Sequence, residues 1–146
     1  VDSSNKSLDR IFRKWEVLTP AQIDVLLQNS PWPEKLYPTL KKLIFLESSN
    51  QPGNKNAESS ATGLIQIMYS AHKDSLQTAG IITSQADLYN PIKNLKAAYY
   101  VFTEAWKTLY PWEAARENNL WPLHKPKYKS PEKTIALLQQ EWALSV

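Results

Sequence analysis

Apolar residues recur along this chain at the three- and four-residue spacing of amphipathic helices, and prolines punctuate the pattern. Leu36, Leu40 and Leu43 form one stripe; Ile92, Leu95, Tyr99, Phe102 and Trp106 form a longer one. Helix starts are written in the residues that precede them. Thr19-Pro20-Ala21-Gln22 joins a capping Thr to a Pro at the first helical position and opens a helix to about Gln28. Asn90-Pro91 opens the clearest helix, and Ser130-Pro131-Glu132 opens a last one with Ile135, Leu138 and Trp142 on one side. Shorter helices are expected from Ser7 to about Trp15, after Pro111, and from about Tyr69 to Thr78, the last stopped by Gly80. Residues 50–62 have no period, and Leu120 to Ser130 is rich in Pro and Lys; both read as loop. The expectation is a mainly α single domain over residues 1–146, of about seven helices. It has a helical N-terminal extension at 1–30 and a small β-hairpin or loop region near 50–66.

Composition narrows the classes. A chain of 146 residues with 42% apolar and 21% charged content can bury one sizeable core. No apolar run approaches the roughly 18 residues that span a bilayer, so no membrane insertion is expected. The absence of cysteine excludes disulfides and thiolate metal sites. The chain starts at Val1 with no charged-then-apolar leader, which suggests a processed product or a domain cut from something longer. A net charge of +3 suits an anionic partner such as a bacterial wall or nucleic acid, although a small lysine surplus more often serves solubility. Lys125, Lys127, Lys129 and Lys133 with Tyr128 make a basic segment that reads as a solvated loop, and no nucleic-acid partner is expected. His72 and His124 stand apart without ligand-spaced companions, and there is no Gly-rich phosphate loop. Neither a metal nor a cofactor is expected.

The stretch Leu46 to Ile67, LESSNQPGNKNAESSATGLIQI, alters the picture. Glu47 follows Leu43 by four residues, Leu40 by seven and Leu36 by eleven, so it shares their helix face. A carboxylate on the core side of a helix loses hydration, which raises its pKa towards what a general acid at neutral pH requires. A helix-ending Glu paired with Lys42 or Lys55 would explain the position as well.

Three blocks tip that balance. Glu47-Ser48-Ser49, followed by Asn56 to Gln66 with its Gly63-Leu64-Ile65-Gln66 turn, resembles the signature of soluble lytic transglycosylases and their goose-type lysozyme relatives. Asp87-Leu88-Tyr89-Asn90-Pro91 through Ala97-Ala98-Tyr99 resembles that family's long-helix opening. Tyr110-Pro111-Trp112-Glu113-Ala114 resembles the block as it stands in bacteriophage virion-associated members, to which the whole looks most similar. The resemblance covers about Leu36 to Ala115. It implies a lysozyme-like fold and cleavage of the β-1,4 bond between N-acetylmuramic acid and N-acetylglucosamine. Glu47 would be the catalytic acid, the partner a peptidoglycan glycan strand, the parent a larger phage or secreted protein, and the location virion-associated or extracytoplasmic (secreted or periplasmic). Periplasmic members carry Ala-Tyr-Asn-Ala-Gly where this chain has Trp112-Glu113-Ala114-Ala115-Arg116, so their Tyr has no match; Met68-Tyr69-Ser70 replaces their usual Pro and Thr.

Family members with one acid are thought to let the substrate's N-acetyl group assist and its 6-hydroxyl attack, leaving a 1,6-anhydro end. Hydrolytic relatives add a second carboxylate. Glu58, Asp74 and Asp87 are the carboxylates weighed for that role, and none falls at the expected place. The anhydro-forming route is therefore favoured; a hydrolytic lysozyme, or a non-catalytic wall-binding or structural virion module, is the alternative. The substrate-binding candidates are Ser59, Ser60, Gly63, Gln66, Tyr69, Tyr99 and Trp112. Gln66 has amide donors and an acceptor for sugar groups. Gly63 suits a positive-φ turn or a close sugar approach. The serines could orient Glu47 or bind an acetamido group, and the three aromatics could stack on sugars. A turn role for Gly63 and the serines, and core packing for Tyr99, fit equally.

Overall fold

The computed structural model describes residues 16–145, with side chains through Glu141. The helix expected at Ser7 to Trp15 and the side chain of Trp142 lie outside the described residues. Six α-helices, two 3-10 turns and one two-stranded sheet follow in order among the described residues. None of the helices is long and apolar enough to cross a membrane.

Helix α1, Pro20–Gln28, begins with a reciprocal cap. Thr19 Oγ1 accepts from Gln22 N at 3.2 Å, and Gln22 Oε1 accepts from Thr19 N at 2.9 Å. It buries Ile23, Leu26 and Leu27. After the 3-10 turn Glu34–Leu36, helix α2 runs Tyr37–Ser48 and buries Leu40, Leu43 and Ile44. Ser49 and Asn50 then take left-handed conformations, φ 54° and 64°, which turns the chain sharply after the helix. Asn50 O accepts from Leu18 N at 2.8 Å, tying this corner to the start of the domain.

Strands β1, Ala61–Thr62, and β2, Ile67–Met68, pair antiparallel with Ala61 opposite Met68 and Thr62 opposite Ile67. The link between them, Gly63-Leu64-Ile65-Gln66, buries Leu64 and Ile65 completely. Asn94 pins it from the core. Its Nδ2 donates to Thr62 O at 3.0 Å and Leu88 O at 2.9 Å, while its Oδ1 accepts from Ile65 N at 3.0 Å.

Helix α3, Tyr69–Thr78, is followed by Gly80 at φ +74°, as the sequence pattern anticipates. The 3-10 turn Gln85–Tyr89 leads to α4, Pro91–Glu104, the central helix, capped by Asn90 Oδ1 on Ile92 N and Lys93 N. Trp32, Tyr99 and Phe102 pack as a ring cluster, with Trp32 centroids 5.2 Å from Tyr99 and 4.7 Å from Phe102. The long stripe is one residue too long as read. Helix α4 ends at Glu104, and Trp106 sits beyond it at φ 64°, 46% exposed. Lys107 N bonds back to Phe102 O at 2.8 Å, so the chain folds over the helix end instead of continuing it. Helix α5, Glu113–Glu117, and helix α6, Pro131–Ser145, complete the order, with Ser130 Oγ accepting from Lys133 N at the start of α6. The irregular run between them matches the loop expected at 120–130.

Candidate active site

Glu47 lies in the last turn of α2, one position past the buried Leu40–Leu43–Ile44 face, and is half-buried. Burial pushes its carboxyl up to about 7, and the neighbouring Glu113 and Glu117 carboxylates add to the shift. Its place at the helix C-terminus acts in the same direction, since unsatisfied carbonyls there disfavour negative charge. A carboxyl with that pKa holds its proton about half the time at neutral pH and can give or take it.

The side chain opens on a groove of about 520 Å³, a size usual for small-ligand sites. Its lining includes Ser59 and Gln66 from the β region, and Trp112, Glu113 and Glu117 from α5 and the residue before it. Helix α5 packs against α2, which brings its two glutamates into the field of Glu47. Trp112 holds the arrangement: only 5% exposed, it donates its indole N–H to Ile65 O at 3.0 Å and so locks α5 to the β1–β2 link.

Of the residues singled out from sequence, Glu47, Ser59, Gln66 and Trp112 meet in this groove. Gln66 stands at φ 52° and spends both amide protons inside the loop, on Asn54 O at 3.1 Å and Gly63 O at 2.9 Å. Only its carbonyl oxygen remains for a ligand. Ser59 Oγ accepts from Ala61 N at 3.2 Å.

The other candidates do not line it. Ser60 Oγ accepts from Ser70 N at 3.0 Å and meets Ser70 Oγ at 2.8 Å, bracing the start of α3. Gly63, at φ +86°, approaches protein: a Cβ there would stand 2.2 Å from Leu88 O and 2.4 Å from Asn94 Nδ2. Tyr69 packs partly buried against the core. Tyr99 is 4% exposed and gives its hydroxyl to Glu141 Oε2 at 2.6 Å, in the ring cluster with Trp32.

Among the carboxylates weighed as a second acid, Asp87 is a structural brace. It accepts from Thr83 N at 2.7 Å and Lys93 Nζ at 3.2 Å, and these hydrogen bonds hold its carboxyl down at about 2. Glu58 and Asp74 are exposed and absent from the groove lining. The carboxylates that do share the groove, Glu113 and Glu117, were not singled out in the sequence. Their four-residue spacing just after Trp112 was the available signal, because it puts both on one helix face. No group of three or more His, Cys, Asp or Glu among the described residues is placed to hold a metal ion.

A family model for the transglycosylase SLT domain matches residues 28–116, more than half of the chain. The chain belongs to that family. The match runs from the end of α1 to Arg116 and contains Glu47, the β1–β2 link and Glu113. Transglycosylase SLT domains act on peptidoglycan, breaking glycosidic bonds of its glycan strands. No curated protein and no solved structure gives a significant match to the chain. Helix α5, at the end of the matched region, supplies Glu113 and Glu117 to the groove wall.

Proposed function

We propose that this SLT domain cuts the bond between N-acetylmuramic acid and N-acetylglucosamine, with Glu47 as its acid and base. The observation that carries this reading is the half-buried Glu47 carboxyl, raised to about 7, at the edge of an open groove. Protonated Glu47 donates to the glycosidic oxygen as the C–O bond breaks. Positive charge develops on the sugar ring, and Glu113 and Glu117 are placed to stabilise it electrostatically. The muramic acetamido group assists at the anomeric carbon. The 6-hydroxyl then attacks that carbon, ionised Glu47 takes its proton, and a 1,6-anhydro end is left.

One observation favours a second route. Glu113 and Glu117 share the groove with Glu47, and a paired carboxylate is what a hydrolytic lysozyme uses to activate water. Mass spectrometry of the muropeptides separates the two, because an anhydro end is one water lighter than a reducing end. Anhydro ends support the transglycosylase reading; reducing ends alone make the domain a lysozyme and Glu113 and Glu117 its candidate second acids. A purified protein that binds wall but releases no fragments is the non-catalytic module. We propose a virion-associated or extracytoplasmic (secreted or periplasmic) location, tested by finding the protein in purified particles, culture medium or periplasmic extracts.

A further inference from the structure

A second groove, of about 450 Å³, shares no lining residue with the Glu47 groove. Pro31 and Pro33 enter its wall from the α1–α2 connection, Tyr99 and Phe102 from α4, and Trp106 and Trp121 from the loops beyond. Trp121 is 66% exposed and Trp106 46%, a large apolar area to leave in water. Trp121, Pro122 and His124 lie beyond the residues that match the SLT model.

The charges around these rings have one sign in excess. Lys35 and Lys107 line the groove. Lys129 Nζ sits 3.7 Å from the Trp106 ring centroid and Lys133 Nζ 5.0 Å, both as cation–π contacts. Burial lowers the pKa of Lys129, and repulsion from Lys133 and Lys107 lowers it further. Glu141 is the acid paired with this cluster, through Lys107 at 2.9 Å. Lysines crowded to that degree gain from an added anion.

We propose that this second groove binds an acidic segment of the peptidoglycan itself, its indoles against the sugar or peptide and its lysines on carboxylates. Peptidoglycan as the occupant rests on the function proposed above; the aromatic and basic character of the groove does not. An insoluble polymer held at two places raises the effective concentration of the cutting site at its substrate.

The test uses Glu47→Gln protein, so that binding is read without cutting, on sacculi chemically stripped of phosphate-bearing polymers. Trp121→Ala and, separately, Lys35→Glu in that background should each weaken binding roughly tenfold, the scale of losing one anchoring contact. Both positions are exposed, and an unchanged melting temperature verifies the fold. Rising salt should weaken binding of the parent protein and have less effect on Lys35→Glu. Unchanged binding in both variants overturns the proposal. So does binding that vanishes on stripping, which makes a phosphate polymer the occupant, or tighter Trp121-dependent capture of a single-stranded oligonucleotide. Cutting is assayed apart, with Glu47 intact. Groove-dependent binding without any cutting would refute the enzyme reading alone, and normal cutting with variant-insensitive binding would refute this proposal alone.

Discussion

Three carboxylates govern how the Glu47 groove responds to pH. Glu47 is raised first by burial and then by Glu113 and Glu117, so removing either neighbour must lower it. In the mechanism we propose, cleavage needs protonated Glu47, and its rate falls as pH rises through that pKa. Glu113→Gln should therefore move the alkaline limb of the kcat/KM profile to lower pH, and Glu113→Gln with Glu117→Gln should move it further. A limb that stays in place would mean that neither carboxylate acts on Glu47. The same shift enters stability with the opposite sign from an ion-paired acid. Folded Glu47 keeps its proton to about pH 7, whereas unfolded it loses it near 4.5. The folded state thus binds more protons in that window, and wild-type stability declines as pH rises through it. Glu47→Gln should be more stable than wild type at pH 8, with the difference gone at pH 4; denaturant melts at the two pH values check this. The half-buried place of Glu47 in the groove was legible through its position in the Leu36–Leu40–Leu43 stripe. Glu113 and Glu117 were not, because their role depends on how α5 docks against α2, which no local pattern encodes.

The β1–β2 link is the element on which the groove's shape rests. Asn94 answers three backbone groups at once and is fully buried, so Asn94→Ala leaves Ile65 N, Thr62 O and Leu88 O without their partner. We expect a loss of about 2–4 kcal/mol, from about 1–3 kcal/mol for each unsatisfied buried group with partial relaxation. Gly63→Ala should cost at least about 1–3 kcal/mol, because its Cβ meets the backbone oxygen of Leu88 and its φ is positive. Both follow from chemical denaturation, and an Asn94→Ala protein as stable as wild type would contradict the bracing role. The helices themselves were readable: Thr19, Asn90 and Ser130 cap where the sequence puts them, and Gly80 follows α3 where a stop was expected. Their ends were read less well. Trp106 fits the spacing of the α4 stripe, yet it lies past the helix end, where it and Lys107 take left-handed conformations that no local residue preference announces. Asn94 did leave a trace, as a polar residue beside Leu95 in an apolar helix, and its burial is what that trace meant.

As a whole, the molecule is a helical frame around α4 whose two grooves differ in charge. The Glu47 groove carries three glutamates with Arg116, while the aromatic groove carries lysines and indoles. The mainly helical architecture and its small β region were legible, because stripes and caps are local. The Glu47 groove was legible only through the motif, since Trp112, Gln66 and Glu47 are brought together by tertiary contacts such as the Trp112–Ile65 hydrogen bond. That bond also fixes Trp112 as part of the groove wall. Tyr99 went to the core for a related reason: its helix face is shared with Phe102 and covered by Trp32. The central claim is that cleavage depends on the proton of one half-buried carboxyl, and the most direct measurement is the lysis rate of Glu47→Gln. It should be made on purified peptidoglycan at neutral pH, with circular dichroism verifying the fold. The account predicts a loss of at least about a hundredfold, the usual scale for a general acid. Lysis at close to the wild-type rate would contradict it and remove Glu47 from the mechanism.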